Sequence, residues 1–154
     1  TGGIGVIYAG GKTDLEQKEL YDRIDDAVCA VRSALEEGIL PGGGVAFYKE
    51  STYVEDNNKG IAGGILGKAL RAPLEQIFIN AGLELSEENK DQLMYDDTTE
   101  GLNVKTGEWG DMYEMGVIDP LKVAKNALQN AVSVAVTILS TNAIITMARS
   151  YEEI

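Results

Sequence analysis

Three consecutive glycines, in the stretch LPGGGVA at residues 40–46, constrain the fold more than any other feature of this sequence. Glycine weakens the interior of a helix or a strand, and Pro41 directly before the triplet lacks a backbone N–H group. The chain is therefore expected to turn here, between a long charged helical pattern and an apolar run. Two explanations are open: a helix stop followed by a turn, or the close approach of a planar ligand to bare backbone.

Composition excludes several classes of function. The formal net charge is −12, and contacts to nucleic acid phosphates need clustered Lys and Arg, so a nucleic acid partner is not expected. The chain has no histidine, which excludes serine triads, histidine bases and most zinc sites. Any chemistry must therefore use carboxylates, backbone groups or a hard metal ion. The single cysteine, Cys29, and the lack of a signal-peptide or membrane-span pattern make a cytoplasmic location the expectation.

Hydrophobic periodicity predicts a mainly helical first half. Thr13 is a good N-cap, and apolar residues at steps of three and four predict one amphipathic helix up to Glu37, with Gly38 as its C-cap. The buried face of this helix is expected to consist of Leu20, Ile24, Ala27, Val28, Val31, Ala34 and Leu35. A second helical region follows residue 60, where Pro73 predicts a kink or two abutting helices.

The second half of the chain carries further local signals. Ser86 predicts the cap of a short helix, and residues 105–108 predict the centre of a small hairpin. Asp119 is the predicted N-cap of a last helix, whose first residue is Pro120. The buried face of that helix is expected to consist of Leu121, Ala124, Leu128, Ala131, Ala135, Ile138 and Leu139. Strands are predicted at residues 4–9 and, as an alternative to an extended tail, at residues 142–150.

Several polar residues are candidates for chemistry. Asp26 points away from the apolar stripe of the first helix. The pattern alone favours a solvated acidic face that Asp26 forms together with Asp22 and Asp25. The alternative is that Asp26 presents a carboxylate that orients water or a cation. Asp119 is favoured as a helix cap, but a carboxylate there can also accept hydrogen bonds from ribose hydroxyls. Asn103 is favoured as a turn residue over a base-reading amide.

Three segments taken in order indicate a family: DRIDDAVCAVRSALEEGILPGGGVAFYK, ALRAPLEQIFINAG and EWGDMYEMGVIDPLKVAKNALQNAVSVA. In this order they resemble the C-terminal part of the group I chaperonins, the GroEL type. The resemblance covers residues 2–140 and is weaker at residues 84–102. It implies a mainly α fold, a helical equatorial-type bundle with a small β hairpin and short terminal strands. Residues 1–40 would be the intermediate-domain return segment, a strand plus the long helix, and residues 41–154 the C-terminal half of the equatorial ATP-binding domain.

The resemblance also implies an ATP site. Asp26 matches the aspartate that acts in ATP hydrolysis, on a helix that swings over the nucleotide. The positions matching the family's nucleoside contacts are Gly42, Gly43, Gly44, Asn103, Val104, Val117 and Asp119. By this resemblance, the backbone of the glycines would lie against the nucleoside, and Asn103 and Val104 would lie near adenine. Val117 would pack on the base, and Asp119 would bond the ribose hydroxyls. Lys105 departs from the family, which usually has a small residue there.

The cofactor implied is ATP with Mg²⁺. The Gly-x-x-x-x-Gly-Lys-Ser/Thr phosphate loop is absent from this sequence. The family's phosphate loop and metal ligands are expected in a missing N-terminal half. The chain also has no initiator Met and opens directly into an apolar run, so we expect a fragment that hydrolyses ATP negligibly on its own.

The function implied is that of a fragment of an ATP-dependent chaperonin, which assists the folding of non-native proteins inside a ring cavity. Its partners would be non-native clients and a co-chaperonin, both bound through a missing apical domain, and further copies in a homo-oligomeric ring. No nucleic acid and no membrane partner is expected. Two alternatives stay open: a non-catalytic helical module for structure or oligomerisation that binds no nucleotide, and a divergent chaperonin with altered ring assembly.

Overall fold

A computed structural model describes residues 2–95, 99–143 and 145 of the chain, with the side chain of residue 95 left out. Across these residues the fold consists of five helices and four short strands. In chain order they are α1 (Asp14–Glu37), β1 (Ile39–Pro41), α2 (Val45–Asn57), α3 (Ile61–Asn80), α4 (Glu87–Tyr95), β2 (Glu100–Asn103), β3 (Glu108–Asp111), β4 (Ile118–Pro120) and α5 (Leu121–Leu139). Strand β1 pairs antiparallel with β4, and β2 with β3. The predicted mainly helical fold with small strand pairs is confirmed.

The hydrophobic core lies where α2, α3, α4 and the β2–β3 hairpin meet. Its buried apolar side chains are Val45, Tyr48, Leu74, Phe78, Leu93 and Met112. Helix α2 was not among the predicted helices, because the apolar run after the glycines shows only Val45 and Tyr48 at helical spacing before polar residues follow. Burial of those two side chains against α3 outweighs the weak local signal.

Helix α1 has the predicted ends but not the predicted burial. The Glu16 amide donates to Thr13 Oγ1 at 3.2 Å, and the helix ends at Glu37, followed by Gly38 with φ of +95°. No residue of α1, which is described over its full length, is buried. Leu35 is 84% exposed, so the predicted buried face is wrong. The helix packs on α5 and β4, and no other described element covers its apolar stripe.

The predicted strand at residues 4–9 is also wrong. Residues 2–11 form neither helix nor strand, and Ile4 and Tyr8 are 95% and 91% exposed. A strand needs a partner for its backbone N–H and C=O groups, and no described strand pairs with this segment. The strand or tail predicted at residues 142–150 lies largely outside the described residues.

Pro73 does not divide α3. One helix runs from Ile61 to Asn80 through this proline, so the alternative of two abutting helices is wrong, and the kink stays a prediction. Leu70 and Leu74 on either side of it are 5% and 1% exposed. Their burial in one core offsets the backbone hydrogen bond that Pro73 lacks.

Helix α5 lies beside the core and not within it. None of its residues, all of which are described, is buried, so the predicted buried face is wrong here as well. Between α5 and the α2–α3 pair runs an open apolar groove of about 670 Å³. The groove residues are Phe47, Ala62, Ile65, Leu66, Ala69, Leu70, Pro73, Ala127, Leu128, Ala131, Val132, Ala135, Val136 and Leu139. Among the helices in the described ranges, none combines the length and apolar character needed to cross a membrane.

Candidate functional site

The glycine triplet forms the turn from β1 into α2. The expectation that it stops the long helix is wrong, because α1 already ends at Glu37 and strand β1 follows. Gly43 and Gly44 have φ values of +65° and +81°, in the left-handed region that favours glycine. The carbonyl of Gly44 accepts the Tyr48 amide at 3.0 Å and so begins α2. The triplet therefore starts a helix and leaves a stretch of backbone without side chains.

The triplet lies directly against Val117. The Gly42 amide donates to the Val117 carbonyl oxygen at 2.9 Å. A Cβ atom placed on Gly42 would lie 3.0 Å from the carbonyl carbon of Val117, and one on Gly43 would lie 3.9 Å from Val117 Cγ1. A side chain at Gly42 would therefore crowd this backbone, and Gly43 and Val117 are neighbours although they are far apart in the sequence.

Asp119 follows Val117 on β4, where it pairs with Leu40 of β1. Its predicted role as N-cap is wrong: Pro120 takes the N-cap position, α5 begins at Leu121, and no side chain caps this end. Pairing with β1 keeps residues 118–120 extended, so the carboxyl is not directed at the helix amides. Asp119 is exposed as a residue, but neighbouring groups partly desolvate its carboxyl, which raises its pKa. Its carboxylate therefore gains more from a hydrogen-bond donor than a fully solvated one would.

The predicted hairpin is confirmed, with Asn103 at the end of β2. The side-chain oxygen Oδ1 of Asn103 accepts a hydrogen bond from the Lys105 amide at 3.1 Å. The backbone carbonyl of Asn103 accepts one from the Gly107 amide at 2.7 Å. These bonds fix the side-chain amide in the turn and leave its Nδ2 group as a donor. Val104 is 37% exposed in the same turn, and Lys105 is exposed.

Asp26 is exposed on α1, as its outward position in the pattern predicts. It shares a shallow surface depression with other α1 residues, among them Lys18, Asp22 and Arg23. By helix geometry it lies about 16 Å along the axis from Glu37, the end of α1 nearest the triplet. The structure does not bring Asp26 together with Gly43.

The region holds groups of the kinds that can contact a nucleoside. Gly43 offers a flat surface, the Asn103 amide offers a donor, and the Asp119 carboxylate offers an acceptor. Within the described ranges no cluster of three or more His, Cys, Asp or Glu side chains is placed to hold a metal ion. The residues present therefore do not fit Mg²⁺ by themselves.

Sequence reasoning missed two residues that shape this region. A Cβ on Gly101 of β2 would lie 2.7 Å from Val45 Cγ2 and 2.9 Å from Met112 Sδ. Met112 itself is fully buried. A glycine inside a strand indicates close approach of another group, and that signal at Gly101 could have drawn attention to this contact.

Comparison with known proteins supports the chaperonin resemblance. The profile of the TCP-1/cpn60 chaperonin family matches residues 1–149. A solved structure described as a group III chaperonin in the open state has a TM-score of 0.75 and 31% sequence identity to the chain. That likeness covers 88% of this chain and 30% of the group III chain, so the chain spans less than a third of that relative's length. The chain belongs to the TCP-1/cpn60 chaperonin family.

Proposed function

We propose that this chain supplies the base and ribose contacts of an ATP-dependent chaperonin. The observation that carries the proposal is the contact of Gly42 with Val117, which places the bare triplet beside the strand of Asp119. A nucleoside bound here would lie against Gly43 with its base beside Val117. The Cβ positions of the three glycines face Val117, Met112 and Leu74, so the ring would lie on the opposite face of the Gly43 backbone.

Each polar group has a defined part in this proposal. The Asn103 Nδ2 group donates to N1 of adenine, since Oδ1 already accepts the Lys105 amide. The Asp119 carboxylate accepts hydrogen bonds from the ribose hydroxyls. ATP supplies the phosphoanhydride bond that is cleaved, and residues outside this chain hold its phosphates and Mg²⁺.

Asp26 is the proposed catalytic residue, with its carboxylate orienting the attacking water. Because it lies far along α1 from the triplet, α1 must change its orientation before Asp26 reaches the phosphates. Two ion pairs to α5 lie at the C-terminal end of α1, where Lys122 pairs with Glu36 and Lys125 with Glu37. A helix held at one end can swing as a rigid lever, which is how nucleotide binding would drive domain closure.

The parent function proposed is assisted folding of non-native proteins in a homo-oligomeric ring. Family membership supports ring assembly and client binding in general terms. The motif order favours the group I type, while the solved relative is a group III chaperonin. Binding of a co-chaperonin by a longer protein that contains this chain would support group I, and failure to bind would favour group III.

A titration with adenosine tests the nucleoside site. The net charge of −12 disfavours ATP when its phosphate ligands are absent, so neutral adenosine isolates the base and ribose contacts. With the ¹⁵N-labelled chain, the amides of Gly43, Asn103 and Asp119 are expected to shift with one common dissociation constant. Guanosine is the control, because its N1–H donor would face the Asn103 donor. Three unrelated constants, or equal binding of both nucleosides, would contradict the proposal.

Turnover provides a second test. The chain alone is expected to hydrolyse ATP negligibly, since it lacks a phosphate loop. If the isolated chain hydrolyses ATP and Asp26→Ala abolishes this activity, the catalytic site is complete within these residues. That result would contradict the proposal that residues outside this chain hold the phosphates and Mg²⁺.

A non-catalytic module for structure or oligomerisation is the competing function, and the apolar groove between α3 and α5 favours it. Ile65 is 67% exposed and Val132 is 45% exposed on its two walls. Exposed apolar area of this kind drives association. Concentration-dependent dimers in sedimentation equilibrium that Ile65→Glu abolishes, together with no response to adenosine, would favour this function.

A further inference from the structure

The side chain of Met112 runs between the two backbone segments of the proposed nucleoside site. A Cβ on Gly101 of β2 would lie 2.9 Å from Met112 Sδ and 3.2 Å from its Cγ, whereas a Cβ on Gly43 would lie 3.1 Å from its Cε. The thioether therefore has its middle against the hairpin and its end against the glycine triplet. Met112 is 0% exposed, so it contacts these segments from behind and not from the ligand side.

The backbone of Met112 makes two further connections. Its amide donates to the Thr99 carbonyl at 3.0 Å, just before β2. Its carbonyl accepts the Val117 amide at 2.9 Å, just before β4. One residue thus bonds or touches the strand that carries Asn103, the triplet, and the segment that leads to Asp119.

We propose that Met112 is a positioning residue that sets the separation between the glycine triplet and the β2–β3 hairpin. This inference rests on the proposed nucleoside site. The Cγ, Sδ and Cε atoms act as a spacer: they hold the Asn103 strand at a fixed distance from Gly43, so that the base fits between them. Met112 does not touch the nucleoside.

An unbranched side chain suits this position. Both glycines expose bare backbone to it, and a side chain branched at Cβ or Cγ would widen the narrow space beside Gly101. Leucine conserves most of the buried volume but branches at Cγ and does not extend to the position of Cε. Met112→Leu is therefore expected to fold while altering the spacing, and Met112→Ala removes the spacer altogether.

Two matched controls separate positioning from general loss of stability. Met94→Leu makes the same chemical change on α4, in a side chain that packs on the same core but lies outside the three site segments. Leu93→Ala removes a 1% exposed core side chain on α4 and matches Met112→Ala in kind. Leu93→Ala is expected to lower the melting temperature about as much as Met112→Ala, whereas Met94→Leu, in a partly buried side chain, is expected to lower it less than Met112→Leu.

The test measures adenosine affinity and melting temperature for the five proteins. We expect Met112→Leu to weaken adenosine binding about threefold or more and Met112→Ala about tenfold or more, because misplacement by roughly 1 Å can lower activity about 100-fold. The amides of Gly43 and Gly101 should shift in both variants without ligand. Met94→Leu and Leu93→Ala should keep their affinity within about twofold of the wild type, as expected for independent sites.

The outcomes distinguish the inference from the proposed function. If the wild type binds adenosine and both Met112 variants bind equally well, the inference is overturned and the nucleoside site stands. If Met112→Ala does not fold, Met112→Leu decides in the same way. If the wild type binds no adenosine, the proposed site falls and the inference falls with it. If the controls lose affinity as strongly as the Met112 variants, Met112 acts through stability alone and the inference is overturned.

Discussion

The amide of Gly42 lies 2.9 Å from the carbonyl oxygen of Val117, so the start of the glycine triplet is joined to the segment before β4 by a hydrogen bond. A methyl group at Gly42 would meet the carbonyl carbon and oxygen of Val117 at 3.0 Å and the Ile118 amide nitrogen at 3.1 Å. These are backbone atoms, which cannot rotate away as a flexible side chain would. The proposed nucleoside site depends on this contact, because it holds the glycine triplet beside β4.

Gly42→Ala is therefore expected to push β4 away from the triplet. The expected loss is about 1–3 kcal/mol in the free energy of unfolding, the usual range for overpacking. Urea denaturation measures it, and faster hydrogen exchange of the residue 42 amide would locate the change. Unchanged stability together with unchanged exchange would mean that the triplet and β4 separate freely.

The adjacent glycines Gly63 and Gly64 of α3 should respond in opposite directions to substitution by alanine. A Cβ on Gly63 would lie 1.9 Å from the Asn58 carbonyl oxygen, whereas a Cβ on Gly64 has nothing within 4 Å. Gly64→Ala is expected to stabilise the chain by about 0.5–1 kcal/mol through helix propensity. Gly63→Ala is expected to destabilise it by about 1–3 kcal/mol. Thermal unfolding of the two variants gives the comparison, and equal effects would contradict the close approach of Gly63 to the Asn58 carbonyl.

Arg71 should matter more than an exposed arginine. It donates to Ser51 Oγ at 2.9 Å and pairs with Glu55 at 2.5 Å, and the side chains of Arg71 and Glu55 are 23% and 34% exposed. Arg71→Met leaves the buried Ser51 without this donor, so we expect a loss of about 1–3 kcal/mol. Arg23→Met, which breaks a pair with side chains 71% and 58% exposed, should change stability by less than about 0.5 kcal/mol. Chemical denaturation of both variants checks the difference.

The orientation of α1 should depend on two lysines. Lys122 pairs with Glu36 and Lys125 with Glu37 at the C-terminal end of α1, which is described in full and buries no residue. Replacing both lysines with glutamine is expected to broaden the distances between a spin label on the exposed Cys29 and one on α3, measured by double electron–electron resonance. High salt should broaden the wild-type distances in the same way, since it screens exposed pairs. Distances as narrow as in the wild type would contradict the lever mechanism.

The carboxyl of Asp119 should link stability and binding to pH. Partial desolvation raises its pKa in the folded state, so the charged form is disfavoured there. Stability should therefore increase as the pH falls through that raised pKa, and Asp119→Asn should raise the melting temperature at neutral pH. Adenosine affinity should decrease as the pH falls, because the carboxylate accepts hydrogen bonds from ribose hydroxyls better than the protonated carboxyl does. Calorimetry and titrations across the acidic range test both trends, and a pH-independent affinity would contradict the ribose contact.

Local signals in the sequence predicted local structure well. Thr13 and Ser86 both bond the amide three residues later, and the hairpin forms around residues 105–108. Such features depend on hydrogen bonds between near neighbours, which the sequence displays directly. The order of motifs also predicted a chaperonin of the group I type; the family match confirms the chaperonin family, and the group I type stays a prediction.

Features that depend on distant partners were not predicted. Asp119 has the local pattern of an N-cap, but its pairing with Leu40 of β1 keeps it in a strand. The apolar stripe of α1 predicts burial, yet α5 and β4 cover the helix only in part and none of its residues is buried. Met112 carries no local sequence signal, and its position depends on contacts beside Gly43 and Gly101, which are distant in the sequence from it or from each other. The positions named for the ATP site stay predictions.

Intermolecular nuclear Overhauser effects between bound adenosine and the methyl groups of the chain test the central claim most directly. Protons H2 and H8 of adenine are expected to show contacts to the methyls of Val117, and the ribose protons to the backbone beside Asp119. The apolar groove provides the competing location. Contacts to the methyls of Leu66 and Val132 without any to Val117 would contradict the claim that the glycine triplet and β4 form one nucleoside site.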